Sequence, residues 1–337
     1  MMMRNIFFAL LLTLSFCSTA CAGAQNGVNM KGDKPMAYDT LMVDLISELK
    51  SYAVRQNPRF FLLGNGGAPL FHADAYSGNT AENVARLMDA LDGELVESVY
   101  YGWDMNDGDE TPDDERAYVK EVLELPRLYG KPLFALDYVK TKSQAKDAYK
   151  KAKLDGFVMS ASFARELDEI PDKAHRPAMN EKDIEKLADV STYLVLLNPG
   201  KFESREAYVD ALAATPYDLL IIDLYFGDTP LTNGEVERLK RKPNGKRRLV
   251  AAYMSIGEAE DYRPYFQPAW HKNPPSFIEE RNKDWEGNMK VRYWQKEWHD
   301  ILLGSSGAYL DKILAAGFDG SFLDVIDAYE YFQNKNK

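Results

Sequence analysis

Acidic side chains set inside apolar runs are the first chemistry that this sequence offers. In Gly317-Phe318-Asp319-Gly320-Ser321-Phe322-Leu323-Asp324-Val325-Ile326-Asp327-Ala328-Tyr329, Asp324 stands between Leu323 and Val325, at the tip of an expected buried strand. A carboxylate in such a place is costly unless it is paired or functional. Glu97, in Leu95-Val96-Glu97-Ser98-Val99-Tyr100, is embedded in the same way, for function or as the partner of an arginine. Asp223, within Leu220-Ile221-Ile222-Asp223-Leu224-Tyr225, and Asp137 before Tyr138 repeat the pattern. Gly257-Glu258-Ala259-Glu260-Asp261-Tyr262-Arg263 sets three acids beside an arginine. Crowded like charges raise one another's pKa and can keep a carboxyl protonated as a general acid. A solvated loop with ordinary ion pairs fits the same heptapeptide. Asp319-Gly320 reads more simply as a turn. Several acids with Tyr and Trp nearby suit a carbohydrate cleft, with carboxyls for acetal chemistry and aromatic faces for stacking.

Other chemistries find less support. His72, His175, His271 and His299 are scattered, and both cysteines, Cys17 and Cys21, lie near the N-terminus, so no His/Cys metal site and no cofactor are expected. An all-oxygen Mg or Ca site built from the aspartates stays open. There is no G-x-S-x-G, no G-x-x-x-x-G-K-[ST] and no G-x-G-x-x-G after a strand. Gly64-Asn65-Gly66-Gly67 reads as a strand-to-loop turn. With 52 acidic against 41 basic residues the net charge is -11, which disfavours nucleic acid as a partner.

The elements that must position these groups alternate along the chain. Strands are expected at 60–63, 95–100, 132–139, 156–160, 193–197, 219–224, 249–254 and 318–325. Helices are expected at 38–56, 81–91, 113–128, 143–153, 181–188, 204–214, 234–241 and, broken, at 294–316. A long loop carrying Trp270 and Trp285 follows the seventh strand. Eight strands alternating with helices predict an α/β fold with a parallel sheet, closed as a single (β/α)8 TIM barrel over 37–337. Asn65, Asp137, Ser160, Asn198, Asp223, Ser255 and Asp324 all fall at strand ends, which converge at one mouth in such a barrel. The order is unusual in opening on a helix and closing on a strand.

Tyr253-Met254-Ser255-Ile256-Gly257-Glu258-Ala259-Glu260-Asp261-Tyr262-Arg263 resembles a hallmark of the glycoside hydrolase 114 family. Trp285-Glu286-Gly287-Asn288 with Val291-Arg292-Tyr293-Trp294, and then Gly317–Tyr329, resemble its next two signatures. The resemblance implies a (β/α)8 barrel and endo-α-1,4-polygalactosaminidase activity on an amino-sugar polysaccharide. A cysteinyl-tRNA synthetase-like label, used for some relatives, has no support here, since no H-I-G-H motif is present. In the family's usual order the Gly317–Tyr329 type of strand is followed by a helix and a strand ending in Asn-Gly. Those pieces resemble Tyr38–Gln56 and Phe60–Gly67, so the resemblance covers nearly all of 37–332 in circularly permuted order. By the same resemblance the catalytic acids are Glu97 and Asp324; the assignment of Glu97 as acid/base and Asp324 as nucleophile is an expectation of this reading, and the reverse stays open. Asn65, Asp137, Asp223, Glu258, Glu260, Arg263 and Asp327 are expected to bind the sugar chain.

At the N-terminus, Arg4, the apolar run Ile6–Leu14 and the small residues around Ala20–Ala24 form the pattern of a secretory signal over 1–24, followed by a flexible leader over 25–36. Secretion and a lipid anchor on Cys21 are both open, and no segment has the length of a transmembrane span. The expectation is an exported glycosidase. Its alternatives are a barrel that binds polysaccharide without cutting it and an oxygen-ligand metal hydrolase.

Overall fold

The computed structural model describes residues 36–73, 79–172 and 177–335. The expected signal segment with Cys17 and Cys21, the leader up to residue 35, and His175 lie outside the described residues. The chain runs through α1 (Tyr38–Gln56), β1 (Phe61–Asn65), α2 (Ala81–Ala90), β2 (Gly93–Glu97), α3 (Asp113–Val122), α4 (Glu124–Leu128), β3 (Leu133–Tyr138), α5 (Lys142–Asp155) and β4 (Val158–Ser162). It continues as β5 (Tyr193–Leu196), α6 (Arg205–Ala213), β6 (Leu219–Ile222), β7 (Tyr225–Phe226), β8 (Thr229–Pro230), α7 (Asn233–Leu239), β9 (Leu249–Ser255) and β10 (Glu258–Glu260). The last elements are β11 (Ile278–Arg281), β12 (Asn288–Val291), α8 (Lys296–Leu302), α9 (Tyr309–Ala316), β13 (Gly320–Asp324) and α10 (Ala328–Lys335).

Eight strands pair in parallel in the order β4-β3-β2-β1-β13-β9-β6-β5 and curl into a nearly closed barrel with helices around it, a TIM-barrel architecture. Strand β13 lies between β9 and β1, with Asp324 opposite Ser255 and Gly320 opposite Phe61, so the first and last strands of the described chain are neighbours. Alternation along each strand divides two apolar layers. In β9, Leu249, Ala251 and Tyr253 belong to the barrel interior, whereas Val250, Ala252 and Met254 pack under the helices. Both faces are therefore covered, which is why these strands read as continuous apolar runs.

The sheet's two ends are β4 and β5. They are joined by a connection in which the expected helix 181–188 does not form; within its described residues a short 3-10 turn, Leu187–Asp189, is present. The reason is competition for the backbone. The Lys242 ammonium, itself buried against Asp218 at 3.0 Å, takes hydrogen bonds to the carbonyls of Asn180 and Lys182. Ile184 N–H bonds to Arg247 O instead of to a residue in its own turn.

Two other expectations need correction. The helix expected over 113–128 is split at Leu123, since Pro126 has no N–H to offer the carbonyl four residues earlier. The long loop after β9 contains a three-stranded antiparallel sheet, β10-β12-β11. Helix α10 packs on α1, where the Tyr38 and Phe332 rings stack at 5.5 Å and Trp294, 5.2 Å from Tyr38, completes the cluster. Among the described residues no helix is long and apolar enough to cross a membrane.

Candidate active site

Glu97 ends β2, Asn65 ends β1 and Asp324 ends β13, and these three strands are adjacent. Their side chains meet. Asn65 Nδ2 donates to Glu97 Oε1 at 2.8 Å and to Asp324 Oδ1 at 3.1 Å, so those two oxygens are at most 5.9 Å apart. Each acid also has its own tyrosine. Tyr138 donates to Glu97 Oε2, and the Tyr253 hydroxyl is a hydrogen-bond partner of Asp324. Val325 N–H adds a 2.9 Å bond to Asp324 Oδ1. Burial, and then the Glu97 carboxylate, push Asp324 up to about 8. At neutral pH the two carboxyls therefore hold a proton that isolated acids would have released.

The backbone marks the same two places. Ser98, just after Glu97, has φ 53, and Val325, just after Asp324, has φ 61. A left-handed β-branched residue is strained by about 1–3 kcal/mol and is held there only by its surroundings. Gly257 belongs to that surrounding. A Cβ there would meet Val325 O at 2.3 Å, so only glycine lets the segment after β9 pass the turn after β13.

The expected sugar-binding residues divide into three groups. Asn65 stands between the acids. Glu258 and Asp327 line an open cleft of about 620 Å³ beside α10, together with Trp285, Asp284 and Lys290. Neither Glu97 nor Asp324 lines this cleft, but Val325 does, so it ends one residue from Asp324. Glu258 accepts from Asn282 and Asn288 at 2.7 and 2.9 Å. Trp285 is at the cleft, whereas Trp270 packs edge-on against Phe266 and Phe277.

The remaining four, Asp137, Asp223, Glu260 and Arg263, are buried. Asp137 is on the opposite face of β3 from Tyr138 and accepts the N–H groups of Tyr100 and Tyr101 at 3.1–3.2 Å, so it shapes the turn after Glu97. Asp223 and Glu260 are both buried against Arg263, at 2.7 and 2.6 Å. That guanidinium sits 5.0–5.9 Å from the rings of Tyr225, Tyr253, Tyr262 and Tyr309. The sequence reading had these charges facing sugar; the structure has them facing one another.

Two features of the site were not anticipated, the hydroxyls of Tyr138 and Tyr253 on the acids. Their inward direction follows from strand alternation once the faces are known, but tyrosine in a strand is ordinary core material. Among the described residues no group of three or more His, Cys, Asp or Glu side chains has the arrangement of a metal site. His271 and His299 pair separately, with Asp261 and Glu48.

A parallel barrel with two close, buried carboxyls at the C-terminal ends of strands one apart in the sheet is an architecture of glycoside hydrolases. Residues 197–337 match the model of glycoside-hydrolase family GH114. The matched segment includes Asp324 and starts just after β5, at one edge of the sheet; Asn65 and Glu97 precede it. An uncharacterized protein of Methanocaldococcus jannaschii is 40% identical over 136 residues, 39% of this chain and 36% of that protein. One from Deinococcus radiodurans is 36% identical over 128 residues, 38% and 39% of the two chains. One from Thermotoga maritima is 43% identical over 84 residues, 25% of each. The chain thus matches between a quarter and two fifths of the length of these relatives.

Proposed function

We propose that the protein is a retaining, endo-acting glycoside hydrolase that cuts an amino-sugar polysaccharide, with α-1,4-linked galactosamine as the first substrate to test. The observation that carries this reading is the single Asn65 nitrogen shared by Glu97 and Asp324. It keeps the two acids within reach of the ~5–5.5 Å spacing of a retaining pair and short of the ~6.5–9.5 Å that leaves room for an inverting water. In the first step Asp324 attacks the anomeric carbon while Glu97 protonates the departing glycosidic oxygen, leaving a glycosyl ester on Asp324. In the second, Glu97 takes a proton from water, the water oxygen attacks the same carbon, and the ester bond to Asp324 breaks. The acids at the cleft, Glu258, Asp284 and Asp327, favour a cationic, deacetylated sugar chain. Export of the enzyme to reach such a polymer belongs to the same proposal.

The test is release of reducing ends from purified galactosamine polymer. Asp324→Asn and Glu97→Gln are each expected to lose ~10²–10⁴ in turnover, with folding and polymer binding kept. The wild-type rate should fall above about pH 8, where the pair gives up its retained proton. Azide should rescue a Glu97→Ala variant with retained configuration and an Asp324→Ala variant with inverted configuration, which assigns the two roles. Wild-type turnover in both conservative variants would remove the pair. Tight binding of the polymer with no cleavage by the wild type would instead favour a binding barrel.

A further inference from the structure

The hydroxyl of Tyr253 has one proton and two acidic neighbours. It stands 3.2 Å from Glu260 Oε1 and is also a hydrogen-bond partner of Asp324. Tyr253 is fully buried on the inner face of β9, two residues below the Ser255–Asp324 register pair, so no water is needed to account for either contact. Glu260 does not depend on it. The same Oε1 accepts from Tyr262, and Oε2 is bound by Arg263 Nε at 2.6 Å. Glu260 therefore stays satisfied when the Tyr253 proton points elsewhere. A carboxyl that must change from acid to nucleophile meets, in this hydroxyl, a group that accepts from its protonated form and donates to its ionised form.

We propose that Tyr253 is a positioning residue that turns its single O–H from Glu260 to Asp324 as Asp324 ionises, and so holds the nucleophile in its charged form during attack. The inference rests on the catalytic reading of Asp324 given above. The charged and titratable groups that bear on Tyr253 are Asp324 from β13, Glu260, Tyr262 and Arg263 from the segment after β9, and Asp223 from the end of β6, held on Arg263. Glu97 bears on it through Asp324. Arg263 opposes the acids, and it is fixed between Asp223 and Glu260, so the mobile element is the hydroxyl proton.

The consequence is a particular pH signature. In the resting pair the proton sits on Asp324, and attack requires it on Glu97 instead. Removing a donor to the ionised Asp324 makes that arrangement rarer, and it delays loss of the last proton by the same factor. For Tyr253→Phe, kcat/KM near neutral pH should fall about 10-fold and the alkaline limb should move up by about one unit, the worth of one hydrogen bond to a charged group. Above that limb the variant and wild-type curves should converge. Tyr262→Phe, which does not touch Asp324, leaves Glu260 short of a donor and should shift the profile the same way by less. An equal loss at every pH, or a limb that moves down, overturns the proposal. Isotope-edited infrared titration of the Asp324 carboxyl, assigned with Asp324→Asn, reads the same proton without turnover. If the wild type cuts no polymer but the Asp324 band titrates higher in Tyr253→Phe, the hydrolase reading fails and the role of Tyr253 stands. If the wild type turns over and that band does not move, the reverse holds.

Discussion

Val325 carries two tasks that conflict. Its N–H fixes Asp324 Oδ1 at 2.9 Å, and its φ of 61 is unfavourable for a side chain branched at Cβ. Glycine would adopt that conformation freely, at the cost of a more disordered unfolded chain. Relief of ~1–3 kcal/mol of strain set against ~0.5–1 kcal/mol of added entropy predicts that Val325→Gly gains about 1 kcal/mol in denaturant unfolding. The same variant should turn over more slowly, because the peptide that orients Asp324 is no longer held. A Val325→Gly protein that is less stable than wild type would mean that the left-handed turn is not a site of strain.

Between elements, the contact that sets Asn65 in place is made by a buried acid on the outer side of β2. Glu94 Oε1 accepts the Gly67 N–H at 2.8 Å, and its other oxygen occupies the space that a side chain at Gly64 would need. Strand β2 thereby holds the turn that leaves β1, and Asn65 is at the start of that turn. Burial is the main cause that pushes Glu94 up to about 8 from the ordinary 4.5. A carboxyl raised on folding adds stability below its unfolded value and loses it as pH rises through its folded value. The window is therefore about pH 4.5 to 8. Glu94→Gln, which imitates the protonated acid, should match the wild type at pH 4 and exceed it by about 1–3 kcal/mol at pH 8. Paired unfolding curves at the two pH values measure this, and an equal difference at both would show that Glu94 folds ionised.

At the scale of the whole molecule, the two halves of the barrel meet in two unlike ways. The pairing of β1 with β13 and the packing of α1 on α10 are a continuous part of the wall, although these elements are at opposite ends of the described chain. The β4–β5 edge is crossed by a connection that, among its described residues, forms no α-helix. We propose that this edge is where a family member in the usual order has its ends. A rearranged chain in which a short linker joins residue 335 to residue 38, opened between residues 168 and 180, should fold to the same barrel. Its Tm should be within a few degrees of the parent and its hydrolysis comparable. Failure to fold while opening at a surface loop elsewhere succeeds would count against the permuted order.

Much of this architecture is fixed locally and was therefore readable from the residues. Helix α1 was expected at its observed limits because its buried positions, from Met42 to Ala53, repeat at helical spacing, and the strands show as apolar runs because both sheet faces are covered. Glu97 and Asp324 stood out because an acid inside such a run is expensive to bury. The partnerships of the acids were not readable, since they depend on which strand neighbours which and on register. Asp137 and Tyr138 are consecutive, yet one shapes an outer turn and the other reaches Glu97, because adjacent strand residues face opposite sides. Arg263 looked like a sugar contact until folding brought Asp223, 40 residues away, onto its guanidinium. Asn65 reaches Asp324 across 259 residues of chain, a meeting that exists only because β1 closes against β13. The sequence determined where acids would be buried; tertiary structure decided which of them face each other, because a strand carries its own alternation but not the identity of its neighbour.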